Sequence, residues 1–199
     1  ELIHLLETHA KGELRIQANT AKNADICHVH TVHPLSYAQM LAAKVPVVMH
    51  VHFLPDTLEG SIQLTPPFDK LFSSYVMKMY KSADELVVVN PYFIDALEAY
   101  QLPREHITYL PNVVDASVFR PARGEHPLIY DRYGIDPEAF NVISVGQVQT
   151  RKGVMDFLEV AKRCPQLQFY WAGGFSFGAF TDGYKGCLLY TSDAADDSL

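Results

Sequence analysis

No stretch of this sequence approaches the roughly 18 consecutive apolar residues of a membrane-spanning helix, although 48% of its 199 residues are hydrophobic. Neither a GxxxxGK[ST] phosphate loop nor a GxGxxG turn occurs. The sequence therefore gives no support to a Walker-type ATPase or a dinucleotide dehydrogenase. Cysteine is scarce. Cys27, Cys164 and Cys187 have no metal-ligand spacing, and their odd count gives no disulfide framework, so a reducing cytoplasm is the simplest setting. Positive charge is short as well: 16 Lys and Arg against 23 Asp and Glu leave −7, a balance that argues against general nucleic-acid binding.

What remains suits a globular protein with a sizeable core, in one or two domains. The first residue is Glu1 rather than Met, and no signal peptide is visible. At the other end, "CLLYTSDAADD" (residues 187–197) resembles the translation of a sequencing adapter; the alternative is a native acidic tail. Residues 187–199 are accordingly left out of fold reasoning. The expectation is a fragment that lacks both its start and its second half.

Along the chain, short apolar runs alternate with helical patterns. Residues 24–34 ("ADICHVHTVHP") and 45–53 ("VPVVMHVHF") read as buried strands, separated by the good helix formers of "LSYAQMLAAK". In "FDKLFSSYVMKMYKSAD", Phe68, Leu71, Phe72, Tyr75, Val76 and Met79 recur with a helical period. "ELVVVN" is the next strand, and Pro91 then opens "PYFIDALEAY" at the first helical position. "HITYLPN" is a further strand, and "VVDASVFRPARGEHP" reads as a connection punctuated by Pro121, Gly124 and Pro127. "FNVISVG", a helix after Gly153 and "QFYWAGG" form one more β-α-β unit. This alternation predicts an α/β protein with parallel sheets and helices on both faces.

In such sheets ligands collect where strands end and helices begin. "VISVGQVQTRKGVMDFLEVAKRC" sets Gly146, Arg151, Lys152 and Gly153 at one such end. Free N–H groups at a helix start and two cations favour an anion. Arginine offers a fork for phosphate oxygens and lysine a compact charge, so a diphosphate is the natural guest. A solvated turn facing water would carry the same residues.

"YLPNVVDASVFRP", "ISVGQVQTRKGVMDFLEVAK" and "YWAGG" together resemble the retaining GT-B glycosyltransferases of family 4. The likeness is nearest to a Gram-positive subgroup that adds hexose to diacylglycerol glycolipids, through "VGQVQTRKG" and "WAGGFSFGAFTDGY". It runs from about Asp25 to Tyr184 and is strongest from residue 109 onward. The resemblance implies two Rossmann-like domains facing a cleft, both incomplete here: residues 1–115 on the acceptor side and 116–186 opening the nucleotide-sugar domain. It implies a UDP-hexose (glucose or galactose) as donor substrate, no cofactor, a membrane glycolipid acceptor such as glucosyl-diacylglycerol, and a peripheral position on the inner face of the cell membrane. Lys152 aligns with the family's phosphate-binding lysine, and Gly146, Gly173 and Gly174 fall in the same corner. Gln147 stands where many members carry a second arginine. It can donate a hydrogen bond but cannot neutralise charge, which leaves Arg151 to compensate. Val113 replaces the usual hinge glycine. The family's second donor-side element, a Glu-x7-Glu segment, is absent from the chain, and these 199 residues alone are expected not to catalyse transfer.

His28, His30, His50 and His52 form two H-x-H pairs, each on one face of its strand. Three readings are open. His52 aligns with the family histidine near the transferred sugar and is favoured as a cleft residue. His28 and His30 are read as core histidines with satisfied hydrogen bonds. A metal site, as in a metal-dependent hydrolase, ranks third for want of a carboxylate to complete the ligand set. Lys70, Lys78 and Lys81 beside the aromatic and Met face of residues 68–81 suit an interfacial helix, or an ordinary amphipathic helix on a sheet. "LPDTLEGS" (residues 54–61) reads as a loop at the acceptor entrance.

Overall fold

The computed structural model describes residues 2–58, 65–120, 127–175 and 181–182. The chain divides into two units, residues 1–57 with 66–121, and residues 58–65 with 122–199.

The first unit begins with helix α1 (Leu2–His9), which the sequence reading did not anticipate. Four parallel strands follow: β1 (Cys27–Val29), β2 (Val47–Val51), β3 (Glu85–Val88) and β4 (Ile107–Tyr109), in that spatial order. They are shorter than the apolar runs that announce them, because pairing stops where a neighbouring strand runs out. Helices α2 (Pro34–Ala42), α3 (Phe68–Tyr80) and α4 (Tyr92–Ala99) make the crossovers. Proline opens α2 from its first turn, capped by His33, whose Nδ1 accepts from the Leu35 N–H at 3.2 Å. Pro91 instead stands one position ahead of α4, as its N-cap, with helical dihedrals already in place.

Strand order without reversal has a consequence. Right-handed crossovers that always step the same way put every helix on the same side of the sheet. The expectation of helices on both faces is therefore corrected for this unit. One face of the sheet carries Val29, Met49, Leu86 and Ile107 in a single row. With Val47, Val51 and Val88, these bury against Met40, Val76, Met79, Tyr80, Phe93 and Leu97 of the helices. Each such side chain contributes about 1.5–3 kcal/mol on leaving water. Alternation then turns His28, Val48, His50, Val87 and Thr108 to the opposite face.

The helical period of α3 is as read, but its burial is uneven. Val76, Met77, Met79 and Tyr80 enter the core, while Phe68 and Leu71 are 63% and 67% exposed. Two tyrosines of α3 hold the chain just beyond the strands: Tyr75 Oη donates to the Val32 carbonyl and Tyr80 Oη to the Phe53 carbonyl, both at 2.8 Å. Burial raises the Tyr80 pKa well above the ordinary phenol range and keeps the hydroxyl a donor.

The second unit holds α5 (Pro127–Tyr133), β5 (Asn141–Val145), α6 (Val154–Arg163) and β6 (Gln168–Ala172). Pro127 starts a helix here rather than punctuating a connection. β5 and β6 pair in parallel, Val142 with Phe169 and Ser144 with Trp171. Phe157 of α6 meets both aromatic rings edge-on at 5.3 Å. Ile143 and Val145, on the other face, are 59% and 80% exposed. The adapter-like tail lies outside the described residues, as do residues 176–180 and 183–184 of the "WAGGFSFGAFTDGY" segment.

Candidate active site

The strand ends of the second unit form a tight corner. Beyond β5 and β6 the ladder continues: the Gly146 N–H donates to the Ala172 carbonyl and the Val148 N–H to that of Gly174, each at 3.0 Å. The Trp171 indole N–H closes on the Gly146 carbonyl at 2.9 Å. Gly173 has no alternative residue here, since a Cβ on it would stand 1.8 Å from the Gly146 oxygen. A Cβ on Gly146 would lie 3.9 Å from Lys152 Cδ, so the lysine stem runs beside that glycine. Thr150–Lys152 forms a 3-10 turn, and Gly153, at φ 73° and ψ 24°, joins it to α6. Only glycine adopts that left-handed conformation at little cost. The N-cap of α6 is Gly153, which has no side chain to cap the helix. Asp156 in the first turn shares this helix end.

The structure thus brings Gly146, Gln147, Lys152, Gly173 and Gly174 together. Arg151, in the same turn, is exposed, as is Lys152. Sequence reasoning missed Gln149. It is fully buried, its Nε2 donates to Gln147 Oε1 at 2.6 Å, and its own Oε1 has no partner among the described residues. This contact occupies the Gln147 oxygen and leaves the Gln147 amide N–H groups as donors. The spacing in "GQVQT" was the available signal, because residues two apart in extended chain share a face.

The histidines belong to the first unit, at the C-terminal ends of β1 and β2. A cleft of about 140 Å³ is lined there by His30, Thr31, Val32, Met49, His50, His52, Phe53 and Tyr80. His50 is buried, whereas His28, His30 and His52 are exposed. The assignment of His28 and His30 to the core is therefore corrected: they lie on the side of the sheet opposite the crossover helices and are exposed. The rings stack in a row, with His30–His50 at 4.7 Å and His50–His52 at 4.6 Å between centroids. Desolvation, then the neighbouring imidazoles, lower His28 and His50 to about 4; desolvation leads in lowering His30 and His52 as well. His33 is set apart by its cap.

The segment after His52 is not an open loop throughout. Pro55–Leu58 forms a 3-10 turn with Leu54 and Pro55 buried, and Thr57 Oγ1 both accepts from the Leu54 N–H and donates to its carbonyl. Residues 59–61 of that segment lie outside the described residues. In the chain after Pro111, Val113 has no left-handed backbone. A β-branched residue in place of the hinge glycine agrees with that.

A parallel α/β unit with crossover helices on one face, and a second with a glycine corner, define the class to which comparison then adds a family. Residues 5–118 match the model for Glycosyltransferase Family 4. The chain belongs to that family. The match begins well ahead of Asp25 and contains the histidine-bearing unit; the Gly146–Lys152 corner lies beyond it. Among curated relatives, the alpha-galactosylglucosyldiacylglycerol synthase of Streptococcus pneumoniae is 40% identical over 188 residues, 93% of this chain and 50% of the relative. The processive diacylglycerol alpha-glucosyltransferase of Acholeplasma laidlawii is 24% identical over 152 residues, 76% of this chain and 46% of the relative. The chain spans about half the length of the curated relatives it matches.

Proposed function

We propose that this chain is part of a retaining hexosyltransferase of GT-B architecture. It would move glucose or galactose from a UDP-sugar to the hydroxyl of a diacylglycerol glycolipid. Family membership and the names of both relatives support glycolipid glycosylation. The observation that carries the donor side is the corner itself: Gly173 lets β6 close on Gly146, and the Lys152 stem lies along the same glycine. In this reading Lys152, Arg151, the Gln147 amide and the α6 N–H groups stabilise the departing diphosphate as the sugar bond breaks. Attack comes from the same face without a stable covalent intermediate, and the donor is a substrate, so transfer asks for no cofactor. His52, in the first unit, is the residue we assign to hydrogen-bonding a sugar hydroxyl.

Among the described residues no helix is long and apolar enough to cross a membrane. Contact with the bilayer, on its inner face, would fall to Phe68 and Leu71, exposed beside Lys70 at the start of α3.

Lys152→Ala in the protein that carries this chain tests the reading. Transfer from UDP-glucose or UDP-galactose to glucosyl-diacylglycerol vesicles is expected to fall on the order of 10²–10³ in kcat, the usual loss for one preorganised donor. The melting temperature should not move, because the side chain is exposed. Wild-type turnover would remove Lys152 from the mechanism.

A further inference from the structure

Four imidazoles lie on the side of the first sheet opposite its crossover helices, and the proposed transfer uses one of them. Alternation turns His28 of β1 and His50 of β2 to one side, and the register Cys27–Val47, His28–Val48, Val29–Met49 brings the two strands alongside; His30 and His52, one residue past those strands, place their rings 4.7 and 4.6 Å from that of His50. Ring nitrogens of His28, His30 and His50 all lie within 4.8 Å of one another. Among the described residues their one hydrogen-bond contact is His50 Nδ1 to His28 Nε2, at 3.4 Å. That is long for an N–H hydrogen bond. It matches the edge of a tetrahedral site, where two nitrogens bound at about 2.0–2.1 Å stand roughly 3.3–3.4 Å apart. We propose that His28, His30 and His50 bind a zinc-class transition-metal dication.

Two points support this. Paired strands hold His28 and His50, and His30 directly follows β1, so little ordering is required on binding. An all-imidazole set suits zinc, copper, nickel or cobalt rather than magnesium or calcium, which take oxygen ligands. The sequence ranked a metal site last because it supplied no carboxylate; three protein nitrogens with an open fourth position need none. The site is distinct from the diphosphate corner, and it stands whether or not the transfer reading holds.

The test uses the protein purified without a polyhistidine tag and stripped with a chelator. Equilibrium dialysis against Zn(II), with metal counted by mass spectrometry, should give one equivalent. Co(II) should bring up visible d–d bands of low coordination number. His28→Gln and His50→Gln should each weaken binding by at least the 10–100-fold that loss of a supporting group alone costs. His106→Gln, a surface histidine paired with Glu85, should leave it unchanged. Should His50→Gln fail to fold by circular dichroism, His28→Gln, at an exposed position, carries the test. Binding well below one equivalent, or His28→Gln protein that holds zinc as tightly as wild type, overturns the proposal.

Discussion

Gly173 and Gly174 are adjacent, and the sequence marks them alike as part of one corner; only the fold separates them. A methyl group on Gly173 would run into the backbone carbonyl of Gly146, which cannot swing aside as a side-chain tip can. One on Gly174 meets nothing within 4 Å among the described residues. Gly173→Ala is therefore expected to destabilise the second unit by about 1–3 kcal/mol or more, as forced overpacking does. Gly174→Ala should stay within about 0.5 kcal/mol of wild type. Urea denaturation of the two variants decides it, and equal midpoints would show that the corner relaxes. The same limit governs the other residues. The apolar period does not tell which of four histidines is buried, because that depends on which face the crossovers cover. Gln149 was invisible as a buried group because this stretch is tied to chain far along the sequence, the Asp182 carbonyl accepting from the N–H of the adjacent Thr150.

At the scale of elements, the periodic segments were legible and their pairing was not. Helices α3 and α4 and the strands of both sheets sit inside the runs that announce them, since burial of one face dictates the period. Strand order is non-local, and the one-sided helix layer follows from order alone. α1 escaped notice for want of a cap signal, whereas α5 carried one, Pro127 at its first position and the left-handed Gly134 just past its end, which in sequence reads as punctuation of a connection. α3 shows how an element governs a neighbouring loop. Its Tyr80 is fully buried and donates to the Phe53 carbonyl, one residue past His52. Tyr80→Phe keeps the ring and strands that carbonyl, so a loss of about 1–3 kcal/mol in unfolding free energy is expected. A loss near zero would mean that water replaces the hydroxyl.

For the whole molecule, the motifs legible in the sequence fall in different units, and this gives a sharper test than either alone. The proposed diphosphate grip belongs entirely to the second unit, through Gly146, Lys152 and Gly173. His52 belongs to the first, where its lowered pKa leaves a neutral ring able to hydrogen-bond a sugar hydroxyl. If the two units divide the labour in this way, nucleotide affinity and transfer rate must respond separately to substitution. His52→Ala is expected to leave the UDP dissociation constant unchanged by calorimetry. It should lower kcat about 10- to 100-fold, the worth of one or two lost hydrogen bonds in the transition state. Lys152→Ala should weaken UDP binding as well as turnover. His52→Ala protein that has lost UDP affinity in step with its rate would place the histidine at the nucleotide and undo this division. Wild-type rates would remove it from the transfer step altogether.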